Sequence, residues 1–226
     1  MRAPGAGQVQ LSGGEAVDRA RLLVAAGDRR ILGIAGAPGA GKSTLAAQVV
    51  TAVGAQAVLV PMDGFHLAQA ELVRLGRADR KGAPDTFDPA GFVALLERLH
   101  GQRPGPGPQG EVVYAPHFDR VLEEAVAGAV AVAADVPLVV VEGNYLLHDE
   151  GAWARVGPLL DEGWFVEVDD ALRIERLVAR HVAYGKEPRA ARDWTLGPDE
   201  RNARLVAGTR ARADVVVRLD DGRLTA

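Results

Sequence analysis

No cysteine occurs in the 226 residues, so disulfides and thiolate metal sites are excluded, although this absence says little about compartment. No excess of positive charge is present either. The formal net charge is −4, which supplies no broad basic field for nucleic acid and leaves a small molecule as the expected partner. The most apolar stretch, 125–141, is broken by Asp135 and Pro137 and built largely from alanine, so no membrane span is expected. Near the N-terminus, Arg19, Arg21, Asp28, Arg29 and Arg30 interrupt any apolar targeting segment, and the cytoplasm is the expected compartment. No internal repeat is visible, and Asn-Lys-x-Asp, the guanine-recognition signature, does not occur. A length of 226 residues with 48% hydrophobic and 25% charged content suits one domain over 1–226 with a single well-buried core.

What is present is a phosphate-binding signature. Gly36, Ala37, Pro38, Gly39, Ala40, Gly41, Lys42 and Ser43 match G-x-x-x-x-G-K-[ST] in full. The run Ile31-Leu32-Gly33-Ile34-Ala35 precedes them as a strand, and Leu45, Val49, Val50 and Val53 continue as a helical stripe. Glycines let backbone N–H groups turn onto phosphate oxygens, and the helix that follows adds the positive end of its dipole. In this context Lys42 is expected to reach the β- and γ-phosphates of ATP. Ser43 is expected to offer its hydroxyl to Mg2+, and Thr44 completes the nucleotide-binding stretch.

The remaining pattern alternates helices and strands. Ser12 with Glu15 forms a capping box for an opening helix that ends near Gly27. Strands are expected at 57–60, 137–141, 164–168 and 215–217, and a helix from Pro89 to His100. The proline- and glycine-rich stretch 101–110 reads as a loop within the domain. Such alternation predicts an α/β fold with a parallel sheet covered on both faces, and ligands bind beyond the carboxyl ends of its strands. Asp63, Glu142 and Asp169 all fall at such ends.

Asp63 is therefore a candidate base, able to orient an acceptor hydroxyl and take its proton. Glu142, after four apolar residues, is expected to hold the hydration shell of Mg2+ and to border the substrate. Arg173, Arg176 and Arg180 share one helical face, with His181 and Lys186 beyond them. One of these arginines, with Arg173 and Arg176 as first candidates and Arg180 placed on the nucleotide, is expected to stabilise charge on the transferred phosphoryl group. A lid over about 173–197 would exclude water.

Five segments carry a resemblance: the phosphate loop; Pro61-Met62-Asp63-Gly64-Phe65-His66; residues 80–88, Arg80-Lys81-Gly82-Ala83-Pro84-Asp85-Thr86-Phe87-Asp88; residues 114–120, Tyr114-Ala115-Pro116-His117-Phe118-Asp119-Arg120; and Val141-Glu142-Gly143-Asn144-Tyr145. In this order, over about residues 30–218, they resemble the phosphoribulokinase/uridine kinase family, including bacterial-type pantothenate kinase. The resemblance is nearest to its nucleoside/nucleotide kinase-like branch, some members of which are named fructose transport system kinases. It implies a P-loop NTPase three-layer α/β/α sandwich, a mainly parallel sheet and a helical lid. It also implies the base role for Asp63, an acceptor pocket lined by Tyr114 and His117, and an adenine pocket near 202–210; His66 and Arg80 are further candidates for contact with the substrate.

The resulting expectation is a kinase using ATP and Mg2+ to phosphorylate a hydroxyl of a sugar, nucleoside or related small molecule. The competing reading is a nucleotide-dependent regulatory ATPase acting on a protein partner. A third is a nucleoside monophosphate kinase in which Arg80 and Lys81 bind the acceptor's phosphate. Oligomeric state is left open, a homodimer included.

Overall fold

The computed structural model describes residues 8–25 and 27–219. Its centre is a six-stranded sheet formed by β1 (Val9–Ser12), β2 (Arg30–Gly36), β3 (Ala57–Pro61), β6 (Leu138–Glu142), β7 (Glu162–Glu167) and β8 (Val215–Arg218). The order is β1-β8-β7-β2-β6-β3, and every neighbouring pair is parallel. Two further strands, β4 (Val113–Asp119) and β5 (Glu124–Val132), form a separate antiparallel hairpin. Because side chains alternate along a strand, both faces of the central strands are apolar. Ile31, Val139, Val141, Phe165 and Val216 face one core, while Leu32, Ile34, Leu138, Val140, Trp164 and Val215 face the other.

Helices cover both faces, giving the expected three-layer α/β/α sandwich. On one side lie α1 (Gly13–Ala25) and α2 (Lys42–Val53), which bury Ala16, Ala20, Leu45, Ala46 and Val49. The Ser12–Glu15 capping box forms as expected: Glu15 Oε2 accepts from Ser12 N at 2.8 Å, and Ser12 Oγ accepts from Glu15 N at 3.4 Å. On the other side, α4 (Pro89–Gly101) buries Phe92, Val93, Leu95, Leu96 and Leu99. Burial of side chains of this size is worth about 1.5–3 kcal/mol each before entropy is counted. Asp88 starts α4 by accepting from Gly91 N at 2.8 Å, with proline at the first position, where no N–H is needed.

The short α3 (Gln69–Arg74) follows the β3 loop. Beyond β7 lie α5 (Asp170–Ala183), α6 (Pro188–Trp194) and α7 (Glu200–Ala207), the last two joined through a π-helical turn at Thr195–Asp199. β1 was not among the expected strands; its exposed, half-polar sequence carries no buried-strand signature, and it forms by pairing with β8. The alanine-rich stretch before Pro137 is β5, whose middle residues are exposed. Among the described residues no helix is long and apolar enough to cross a membrane.

Candidate active site

β2 lies between β7 and β6, and the chain passes from its carboxyl end through the phosphate loop into α2. The loop closes tightly. Gly39 has φ +80°, and a Cβ there would sit 2.8 Å from the Arg173 carbonyl oxygen, so the position excludes other residues. Lys42 begins α2 and donates from Nζ to the Ala37 carbonyl at 3.0 Å. Its ammonium is buried, and desolvation lowers its pKa to about 8 against the raising influence of Glu142 and Asp63.

A cavity of about 470 Å³ opens beside this loop at the carboxyl ends of the strands. Pro38, Lys42 and Ser43 contribute its phosphate-loop wall, Asp63 and His66 the turn after β3, and Glu142, Gly143 and Asn144 the end of β6. The four residues expected to carry phosphate, metal and proton chemistry therefore meet in one space. Burial, and then the Asp63 charge, push the Glu142 carboxyl well above the ordinary carboxylate range; Lys42 and the Ser43 hydroxyl act in the opposite sense. A buried carboxylate with this bias gains from a bound cation.

Asp63 itself sits in a short turn, Met62–Phe65. Its carbonyl accepts from His66 N at 3.1 Å and lies 2.8 Å from His66 Nδ1. Its carboxylate Oδ2 accepts from Arg120 Nη2 at 3.1 Å. Burial lowers the His66 pKa and favours the neutral ring, which packs at a tilt against Phe87 and Phe118 at centroid distances of 4.0 and 4.9 Å. Gly64 is required for close approach: a Cβ there would lie 2.4 Å from the Pro116 carbonyl oxygen.

Several expected site residues are placed elsewhere. Tyr114 and His117 are exposed and do not line the cavity. Tyr114 alternates outward between buried Val113 and Ala115, and a register shift in the β4–β5 ladder between Ala115 and His117 reverses the alternation, so that Phe118 and not His117 turns inward. Arg80 also lies outside the cavity; it is held by Asp85, with Nη2 to Oδ2 at 2.9 Å.

Arg173 is not a cavity residue. Only 2% of its side chain is exposed, and it pairs with Asp170 at 2.9 Å and Glu200 at 2.6 Å, tying α5 to α7. Its Nη1 is a buried polar atom without a hydrogen-bond partner. Arg176 points toward the phosphate loop, its Nη1 3.9 Å from the position of a Cβ on Gly41, whereas Arg180 lines the cavity directly. Gly36, Ala37, Gly39, Ala40, Gly41 and Thr44 belong to the loop and first turn without bordering that space.

Asp169, the third strand-end acid, caps α5 by accepting from Ala171 N at 2.8 Å and Leu172 N at 3.2 Å. The expected adenine segment is mostly α7: Asn202 faces the cavity beside Gly82, while Arg210 is bound to Glu167 and Gln8.

The structure adds residues that sequence reasoning left without a role in the favoured reading. Arg120, Lys81, Asn144, Tyr184, Lys186 and Trp194 all line the cavity. Lys186 sits over Trp194, with Nζ 4.8 Å from the ring centroid, and His181 Nε2 meets Asp199 Oδ2 at 2.7 Å, so α5, α6 and the π-helical turn form one wall. Tyr145 explains its place in the β6 motif: its hydroxyl donates to the Gly82 carbonyl at 2.5 Å and fixes the loop that carries Lys81.

A phosphate loop of P-loop type thus borders the same cavity as the Asp63 carboxylate. The model of the phosphoribulokinase / uridine kinase family matches residues 31–219. The chain belongs to this family. It is 36% identical over 148 residues to the ATP-dependent kinase-like protein notR′ of Aspergillus versicolor, covering 63% of this chain and 84% of that protein. Identity to the uncharacterised protein YggC of Escherichia coli is 31% over 202 residues, or 86% and 80% of the two chains. Among solved structures, one from Silicibacter sp. TM1040, provisionally described as a fructose transport system kinase, is similar with a TM-score of 0.79 and 35% identity, over 91% of this chain and 98% of that one. The protein is a P-loop kinase of the uridine kinase family, and that membership implies ATP as phosphoryl donor.

Proposed function

We propose that this kinase uses ATP and Mg2+ to phosphorylate a hydroxyl of a sugar, nucleoside or related small metabolite. The observation that carries the reading is the meeting of Asp63 with Lys42, Ser43 and Glu142 in one cavity. A regulatory ATPase needs only the last three; a carboxylate facing a further polar space is what an alcohol acceptor requires.

The donor set fits Mg2+. Ser43 and Glu142 offer hard oxygen ligands, and among the described residues no cluster of three or more histidine, aspartate or glutamate side chains forms a closed cage. That is the arrangement for an ion that takes the rest of its shell from water and nucleotide phosphates. When bound, Mg2+ supplies charge neutralisation for the phosphates; Ser43 and Glu142 would hold it.

The chain's own residues do the rest. Asp63 accepts the acceptor's hydroxyl proton as that oxygen bonds to the γ-phosphorus. The bond from γ-phosphorus to the bridging oxygen breaks, and its electron pair leaves with ADP. Lys42 and Arg180 balance negative charge on the phosphates from opposite walls. The wall formed by α5 and α6 acts as the lid that keeps water from competing with the acceptor.

The test is incubation with ATP and Mg2+ against a panel of sugars, nucleosides, pantothenate and sugar phosphates, with product detection by mass. One acceptor gaining one phosphate is the expected result, and Asp63→Asn should slow its formation by about 10²–10⁴. Hydrolysis without any phosphorylated acceptor, stimulated instead by a protein, would reassign the site to a regulatory ATPase.

A further inference from the structure

The half of the cavity beyond Asp63 holds two cations that hydroxyl activation does not require, Arg120 and Lys81, with Glu123 beside them. Arg120 and Lys81 enter it from different elements, the β4–β5 turn and the loop after α3. They converge on one ring: Lys81 Nζ is 5.1 Å and Arg120 Cζ 5.7 Å from the Phe118 centroid. Both cations bear on His66; Arg120 also bears on Glu142 and Arg180, and its Cζ lies 5.8 Å from the Tyr184 centroid, so it links the Lys81 side of the cavity to α5.

Neither cation is well neutralised for turnover. Among the described residues Asp63 is the only ion-pair partner of Arg120, at 3.1 Å. Once Asp63 has taken the acceptor's proton, that counter-charge is gone, leaving the guanidinium in a partly enclosed space. Lys81 has only a 3.8 Å approach to Glu123 and donates to the Glu123 carbonyl at 3.0 Å, although 18% of its side chain is exposed.

Lys81 is also held in place. Its loop is pinned by Tyr145 on the Gly82 carbonyl, by Thr86 Oγ1 accepting from Gly82 N at 2.9 Å, and by Trp153 Nε1 donating to the Pro84 carbonyl at 3.2 Å. Preorganised cations of this kind bind an anion at low entropic cost. The apolar faces of His66, Phe87 and Phe118 beside them suit a short carbon skeleton.

We propose that the acceptor carries a carboxylate or phosphate a few bonds from the hydroxyl that is phosphorylated, and that Arg120 and Lys81 receive this anionic group above the Phe118 ring. The proposal rests on the kinase reading. It adds that Arg120 exchanges its partner during the cycle: Asp63 in the free protein, the acceptor's anion in the complex.

The experiment measures kcat/KM for matched acceptors that differ in the anion: glycerate, glycerol phosphate and glycerol; gluconate and glucose. Wild type, Arg120→Gln, Arg120→Lys and Lys81→Met are compared at low and high salt. The wild type should favour an anionic member at least tenfold through KM, with the carboxylate and phosphate arms showing which anion is used. Arg120→Gln and Lys81→Met should each raise that KM tenfold or more and collapse the preference. Arg120→Lys should restore part of it, and salt should weaken it. Binding of a nonhydrolysable ATP analogue verifies that each variant is folded.

Equal use of charged and neutral partners by the wild type, or variants that slow both equally, would overturn the anion site while leaving the kinase intact. Transfer to no acceptor in either this series or the wider panel would overturn the kinase reading, and this proposal with it.

Discussion

Asp63 and Glu142 share a cavity but not an environment, and this separates what their amides would do. Glu142 is buried and its folded pKa is pushed above the ordinary glutamate value of 4.5, so the native state holds its proton more tightly than the unfolded chain. Its contribution to stability is therefore complete below pH 4.5 and is lost as pH rises through the folded pKa. Glu142→Gln should stabilise the ligand-free protein at pH 8 by about 1–3 kcal/mol, with a Tm a few degrees higher, and the difference should vanish at pH 4. The same variant should lose Mg2+-dependent turnover. Thermal melts at the two pH values, beside an Mg2+ titration of rate, check both arms; an unstabilised variant at pH 8 would contradict the desolvated charge. At Gly64, where a Cβ would meet the Pro116 carbonyl, Gly64→Ala should cost about 1–3 kcal/mol, readable as a lower denaturant midpoint.

Elements explain where sequence reading succeeded and where it missed. The phosphate loop, β2, β3, β6 and β7 were legible because buried parallel strands are continuous apolar runs, and because G-x-x-x-x-G-K-[ST] states its own geometry. The hairpin wall of the cavity was not. Alternation along 113–118 places His117 on the same side as Val113 and Ala115, and only the shift in pairing with β5 reveals that Phe118 takes the inward position. The same limit applies to α5, whose three arginines share a face by spacing yet divide by burial. Arg173 joins α5 to α7, Arg176 approaches the phosphate loop, and Arg180 lines the cavity. Arg173→Ala should therefore act on stability, lowering it by about 1–3 kcal/mol because it severs the charged hydrogen bond that ties α5 to Glu200, which keeps only Arg204 at 3.2 Å. Arg180→Ala should leave the melting temperature near wild type and lower kcat. Melting curves and steady-state kinetics on the two variants separate these roles, and the reverse pattern would contradict the placement.

At the scale of the whole molecule, the sheet order sets the division of labour. β2 and β6 are adjacent, so the phosphate loop and Glu142 emerge side by side, and β3 next to β6 brings Asp63 to the same end. The phosphate-loop side of the cavity is thus built from the parallel sheet, while the hairpin, the Lys81 loop and the α5–α6 wall enclose the rest of it. These parts lie outside the repeating βα pattern, and their contacts join residues far apart in the chain, as Tyr145 does with Gly82 and Arg120 with Asp63. The phosphate loop was accordingly legible from one local motif, and the rest of the cavity wall needed the fold.

The central claim is that Asp63 removes the proton from an acceptor hydroxyl during phosphoryl transfer. Its most direct test is single-turnover transfer from ATP to the acceptor by wild type and Asp63→Asn, with ATP affinity measured in parallel. The account predicts unchanged ATP affinity and a transfer rate lower by about 10²–10⁴. Transfer at the wild-type rate would contradict it.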